Sequence, residues 1–127
     1  EKMSEKSEAY QRGLEIKEAL GESARSSLDE IDQEFADVTI ETIFGGPWAR
    51  EGLSLRDRAL VTAATVIALG REARAVKPNI RRALKSGVTD REFREMLYQV
   101  MHYAGWSIGG PAMNNYKEVL AELENEG

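Results

Sequence analysis

The stretch ALVTAATVIAL, residues 59–69, decides how the rest of the chain is read. It contains no charge, and Ser54 followed three residues later by Asp57 supplies a cap for the start of a helix that runs into it. A helix apolar on every side is expected to be buried nearly all round, and Gly70 marks its end.

Working towards the N-terminus, Gly45-Gly46-Pro47 closes an earlier apolar run. In that run Leu28, Ile31, Phe35 and Val38 recur at spacings of three and four, with Ile40 and Ile43 extending the surface; this is the helical period, and it predicts one second helix. Before it, apolar positions from Tyr10 through Leu14, Ile16 and Leu20 predict a short first helix stopped at Gly21. Residues 1–8 are polar without a period and are expected to form a flexible tail ahead of one domain over 9–124.

Towards the C-terminus, residues 71–85 form a basic helical segment in which Pro78 predicts a kink or two short helices. Gly87 stops it, and Thr89 with Glu92 forms a capping box that opens the next helix. There Phe93, Met96, Leu97, Val100, Met101 and Ala104 share a face. Yet no residue from Met96 to Tyr116 is formally charged, more than one buried face requires, so a second buried surface is expected, most simply a contact between subunits. GWSIGG interrupts the run, and a last helix is expected from about 111 to 122. The expected fold is all-α, a bundle of about six helices, with no strand pattern.

The balance of 17 basic against 22 acidic residues gives a net charge of −5, which repels a phosphate backbone and disfavours nucleic acid as a partner. The absence of cysteine removes disulfides and thiol redox chemistry. One histidine and no thiolate leave a metal site without its usual ligands, so no metal is expected. The beginning EKMSEKSE has no apolar signal core and no stretch is long enough for a bilayer, so the expectation is a cytoplasmic protein without a membrane partner.

Gly105-Trp106-Ser107-Ile108-Gly109 matches the G-x-S-x-G nucleophile elbow in letters. That motif needs a strand-to-helix turn and a later histidine; a helix precedes it and no histidine follows, so a glycine-rich turn between packed helices is the better reading. His102 has the chemistry of a general acid or base, but lies on its helix opposite the core stripe, beside Tyr98 and Glu95, where a structural or interface role is the competing reading. The basic residues Arg71, Arg74, Lys77, Arg81, Arg82 and Lys85 are either a solvated face or an anion site in which Arg81 offers a fork to a carboxylate. Arg58 is a second carboxylate partner or an ordinary salt bridge, and Trp48 and Trp106 either wall a pocket or simply pack.

Four stretches then fall in one order: AYQRGLEIKEALGE, GLSLRDRALVTAATVIALGRE, RRALKSGVTDREFREMLYQVMHYAG and AMNNYKEVLAE. Together they resemble the carboxymuconolactone decarboxylase family from about Tyr10 to Glu122, in its decarboxylase branch. The resemblance implies an AhpD-like all-α bundle assembled as a homo-oligomer, trimer or hexamer, with pockets near subunit contacts. It also implies cofactor-free loss of CO₂ from a small anionic lactone, as in γ-carboxymuconolactone decarboxylation. The thiol peroxidase chemistry of the related branch is excluded by the missing cysteines.

The same resemblance locates two departures. The family's H-x-R falls on Asn79-Ile80-Arg81, so asparagine replaces the histidine, and the family's acidic residue ahead of its tryptophan falls on Gly46. Arg58, Arg81, Trp48 and Tyr103 match the pattern as pocket residues. The expected enzyme is a cofactor-independent lyase or isomerase for a small anionic lactone or keto acid. In it Arg58 and Arg81 hold anionic oxygens, Asn79 polarises a carbonyl, His102 or Tyr103 handles the proton, and Trp48 and Trp106 are candidate substrate-binding residues. The alternative is a family member that lost catalysis with the histidine and the acid and serves in ligand binding or assembly; a helical adaptor is the third reading.

Overall fold

The computed structural model describes residues 6–24 and 29–127 in full and the helical backbone at 27–28. Most of the expected tail, residues 1–5, and the side chain of Leu28 lie outside the described residues. Among the described residues there are seven α-helices and no strand, in agreement with the all-α expectation. They fall into two compact units that meet in sequence at Leu55 and Arg56.

In the first unit, α1 spans Glu8–Ala19. Ser7 caps it by accepting from the Tyr10 N–H, so ordered structure begins inside the stretch expected to fray. Gly21 ends it as the sequence suggests. The second expected helix is a correction: it is two helices, α2 at Ser27–Ile31 and α3 at Gln33–Thr39. Asp32 causes the break, because its backbone is extended and its carboxylate accepts from the Phe35 N–H, capping a new helix instead of continuing the old one. Beyond α3, Ile40–Phe44 widens into a π-helical turn closed by the Gly45 N–H on the Ile40 carbonyl. Ala36, Ile40, Phe44, Trp48 and Leu20 are buried here. Lys17 joins them with its ammonium 4.6 Å from the centre of the Phe44 ring, where the face of the aromatic offsets lost hydration.

All of α4, Leu55–Ala68, but its first residue belongs to the second unit, and the helix starts directly after Ser54. Only Ala59, Ala63 and Ile67 are buried, while Val61 is 54 % exposed. The expectation of burial all round is therefore wrong for the single chain: the helix has one inner stripe and an apolar outer one. Next, α5 spans Ala73–Lys85 without a break at Pro78, which corrects the expectation of two short helices. A proline inside a helix costs about 3 kcal/mol; burying Val76 and Ile80 on the same face returns about 1.5–3 kcal/mol each, so packing holds the segment helical.

Helix α6, Asp90–Ala104, opens with the expected capping box: Thr89 Oγ1 accepts from the Glu92 N–H at 3.1 Å and the Glu92 carboxylate accepts from the Thr89 N–H at 3.0 Å. Those contacts, with Arg56 beside them, hold the Glu92 carboxyl below its usual range. A 3-10 turn at Trp106–Ile108 follows, then α7 at Gly109–Glu126, which starts two residues before the expected Pro111. Tyr116 of α7 stacks on Phe93 of α6 with ring centres 4.3 Å apart, and both are fully buried. No described helix is long and apolar enough to cross a membrane.

Candidate functional site

The basic face of α5 meets an acidic face of α7. Lys77 pairs with Glu118 at 3.2 Å and Glu122 at 2.7 Å, while Arg81 donates from its two terminal nitrogens to Glu122 at 2.5 Å and Glu126 at 2.7 Å. The ammonium of Lys77 and the guanidinium of Arg81 keep the Glu122 carboxyl below its ordinary range. Reading α5 alone, the sequence offers only Glu72 as a counter-charge; the carboxylates that matter come from a helix some 40 residues on. The fork expected to grip a substrate is thus occupied by two glutamates of the chain itself.

Asn79 sits on the same helix, half-buried. Its amide nitrogen donates to the Ala75 carbonyl at 2.8 Å, and its oxygen accepts from Arg82 at 2.8 Å. Both functional atoms of the amide have partners within α5. The Ala75 carbonyl lies beside Pro78, whose ring lacks the N–H that would serve the Arg74 carbonyl one position earlier.

His102, Tyr103 and Trp106 lie together at the end of α6 and in the turn after it, all exposed; Tyr103 is 84 % exposed and Trp106 68 %. The His102 ring meets Trp106 edge-on with centres 5.2 Å apart. Its Nδ1 lies 2.6 Å from the Tyr98 carbonyl. A carbonyl only accepts, so Nδ1 carries a proton and the neutral ring leaves Nε2 as the atom able to take one up. Tyr103 also borders a shallow apolar groove with Val61, Thr65 and Ala68 of α4 and Val100 of α6.

Arg58 is half-buried on the first turns of α4. In the first unit Trp48 is buried against Phe44, with ring centres 5.9 Å apart, so there it packs as a core residue. Gly46, where the family's acid is expected, leaves no room for a side chain: a Cβ would stand 2.3 Å from the Thr42 carbonyl oxygen. The close-packed turn after the π-helical segment explains the glycine without reference to chemistry.

A feature the sequence reading did not assemble is a cavity of about 150 Å³ within the second unit. Ile67, Val76 and Ala112, all buried, form its interior, and Arg71, Ser107 and Asn115 stand at its opening. The Gly70 N–H bonds to the Ile67 carbonyl and the Arg71 N–H to the Val66 carbonyl, the paired bonds of a helix ended by a left-handed residue. Gly70 has φ of +70°, and that turn delivers Arg71 to the opening. The terminal glycine was the available signal; what it aimed Arg71 at depended on α7, which the sequence did not place. Among the described residues no group of three or more His, Asp or Glu is placed to hold a metal ion.

The sequence profile described as the Carboxymuconolactone decarboxylase family matches residues 33–121. The chain belongs to that family. It is 34 % identical over 119 residues to a 4-carboxymuconolactone decarboxylase of Acinetobacter baylyi, covering 90 % of this chain and 88 % of the relative. A second relative, from Paracoccus denitrificans, is described as an uncharacterized 15.0 kDa protein in the nqo9-nqo10 intergenic region; it is 25 % identical over 126 residues, covering 92 % of this chain and 94 % of its own. The family match spans the π-helical turn, α4, the basic α5, the capping box and most of α7.

Proposed function

We propose that this family member is a cofactor-independent carboxy-lyase acting on a small anionic lactone or keto acid, of the type of 4-carboxymuconolactone. The observation that carries the reading is the 34 % identity, over nine-tenths of the chain, to a protein bearing that activity in its name. In the reaction the bond to the carboxylate breaks, its electron pair passes to the adjacent carbon and on to the lactone carbonyl oxygen, and a proton then returns to carbon. Donors to the developing enolate oxygen and one proton carrier suffice.

In this chain Arg58 and Arg81 are the cations assigned to the anionic oxygens, Asn79 the donor to the carbonyl, and His102 or Tyr103 the proton carrier, with Trp106 as a wall residue. For Arg81 and Asn79 the assignment requires exchange of partners: substrate oxygens replace Glu122 and Glu126 on the guanidinium, and a substrate carbonyl replaces the Ala75 carbonyl on the amide. The proposed working state is a homo-oligomer, trimer or hexamer, assembled through the exposed apolar surfaces of α4 and α6, in the cytoplasm.

The internal pairing of Arg81 and Asn79 favours a second reading, a family member that binds a ligand or serves in assembly without catalysis. The two are separated by following loss of γ-carboxymuconolactone by absorbance with three proteins: the natural chain, Asn79→His, and the double variant Glu122→Gln/Glu126→Gln. Turnover by the natural chain supports the lyase, and a lower KM in the double variant locates the substrate carboxylate on Arg81. No turnover by any of the three folded proteins leaves the second reading.

A further inference from the structure

The cavity bordered by α4, α5 and α7 is not part of the site assigned above. It combines three properties. Its interior is apolar, with Ile67 3 %, Val76 2 % and Ala112 4 % exposed. At its opening stand a guanidinium, a hydroxyl and a carboxamide, from Arg71, Ser107 and Asn115. And whereas Lys77 and Arg81 are closed by α7 glutamates, Arg71 forms no ion pair among the described residues, so its planar fork is available to a carboxylate.

We propose that this cavity is a binding site for a monocyclic carboxylate, with the ring inside and the carboxylate on Arg71 at the opening, completed by the Ser107 hydroxyl and the Asn115 amide. A volume of about 150 Å³ suits one six-membered ring; a dry apolar cavity of that order accepts benzene in other proteins. A flexible dicarboxylate of similar length does not match, because nothing at the inner end of the cavity answers a second charge. The bonds that end α4 fix the Arg71 backbone at the opening, and ordering its exposed side chain is a cost that the carboxylate pair has to exceed. The inference is independent of the lyase reading: a member without catalysis would bind through the same cavity.

The test uses the full chain, ¹⁵N-labelled, titrated in separate experiments with benzoate, benzamide and acetate. Benzoate has ring and charge, benzamide the ring alone, acetate the charge alone. The expected result is saturable shifts around residues 67–76 and 107–115, with benzoate bound about tenfold or more tightly than either control, the range expected when a charge-assisted pair forms in a partly dry site. Arg71→Gln, a change at an exposed side chain, should bring benzoate to the level of benzamide. Ala112→Leu should remove ring binding by filling the interior; if that variant does not fold, Arg71→Gln decides alone. No saturable shift at millimolar benzoate, shifts centred on Arg81 instead, or an unchanged preference for benzoate in Arg71→Gln each overturn the proposal.

Discussion

Tyr116, fully buried in the second unit, donates a 2.5 Å hydrogen bond to the carboxylate of Asp90 in the first turn of α6. Burial and the nearby carboxylate push the Tyr116 phenol well above its ordinary range. The hydrogen bond from that phenol, with Arg94 as a second donor, holds Asp90 below the usual carboxylate value.

The folded-state pKa of Asp90 is thus depressed. Its contribution to stability is present above the ordinary value of 3.8 and disappears as pH falls through the lower folded value. Tyr116→Phe keeps the stack on Phe93 but loses the bond. Urea midpoints measured from pH 7 to pH 2 should show the variant less stable near neutrality, with the gap closing below about pH 4. A gap that persists undiminished at pH 2 contradicts the assignment.

Returning an acid to the position where the family carries one should fail on steric grounds. At Gly46 even a methyl group meets the Thr42 carbonyl oxygen, so Gly46→Ala and Gly46→Glu should both lose about 1–3 kcal/mol of stability in chemical denaturation. If Gly46→Glu is as stable as the natural chain, the turn has more freedom than its packing indicates.

At Gly70 the left-handed backbone costs a residue with a Cβ about 1–2 kcal/mol, so Gly70→Ala should be destabilised by that amount. No atom lies within 4 Å of the Cβ that would be added, so the loss comes from the dihedral alone. Gly70→Asn, which tolerates this region better, should recover part of it in the same denaturation series.

The outer surface of the second unit leaves Tyr103, Trp106, Leu69 and Val61 more than half exposed, in the stretches 59–69 and 96–116 that carry no formal charge. As a proposal that copies of the chain assemble there, Tyr103→Glu should shift sedimentation towards the monomer while circular dichroism stays unchanged. A variant that sediments like the natural protein places the subunit contact elsewhere.

Elements whose ends are set by local chemistry were legible in the sequence: the Thr89–Glu92 box, the stops at Gly21, Gly70 and Gly87, and the all-helical class. Those decided by competition were not. Asp32 carries a helical pattern across it yet breaks the helix, because its carboxylate satisfies the Phe35 N–H at the start of a new one. Pro78 should break a helix and does not, because the apolar residues flanking it are buried. For the site, residue types were readable but their partners were not: Arg81 pairs with Glu122 and Glu126, more than 40 residues away, and the cavity behind Arg71 exists only once α7 closes it.

The two tryptophans divide between the two units, and their surroundings differ as far as they can: Trp48 is 6 % exposed beside Phe44, Trp106 is 68 % exposed beside His102. Each unit therefore carries its own optical label. Emission from Trp48 should be blue-shifted and shielded from acrylamide until the first unit opens, whereas Trp106 of the single chain emits as in water and is quenched freely, losing that access where copies assemble over it. A single emission spectrum, resolved by quenching, can report the melting of one unit and events at the surface of the other without a dye or a tag.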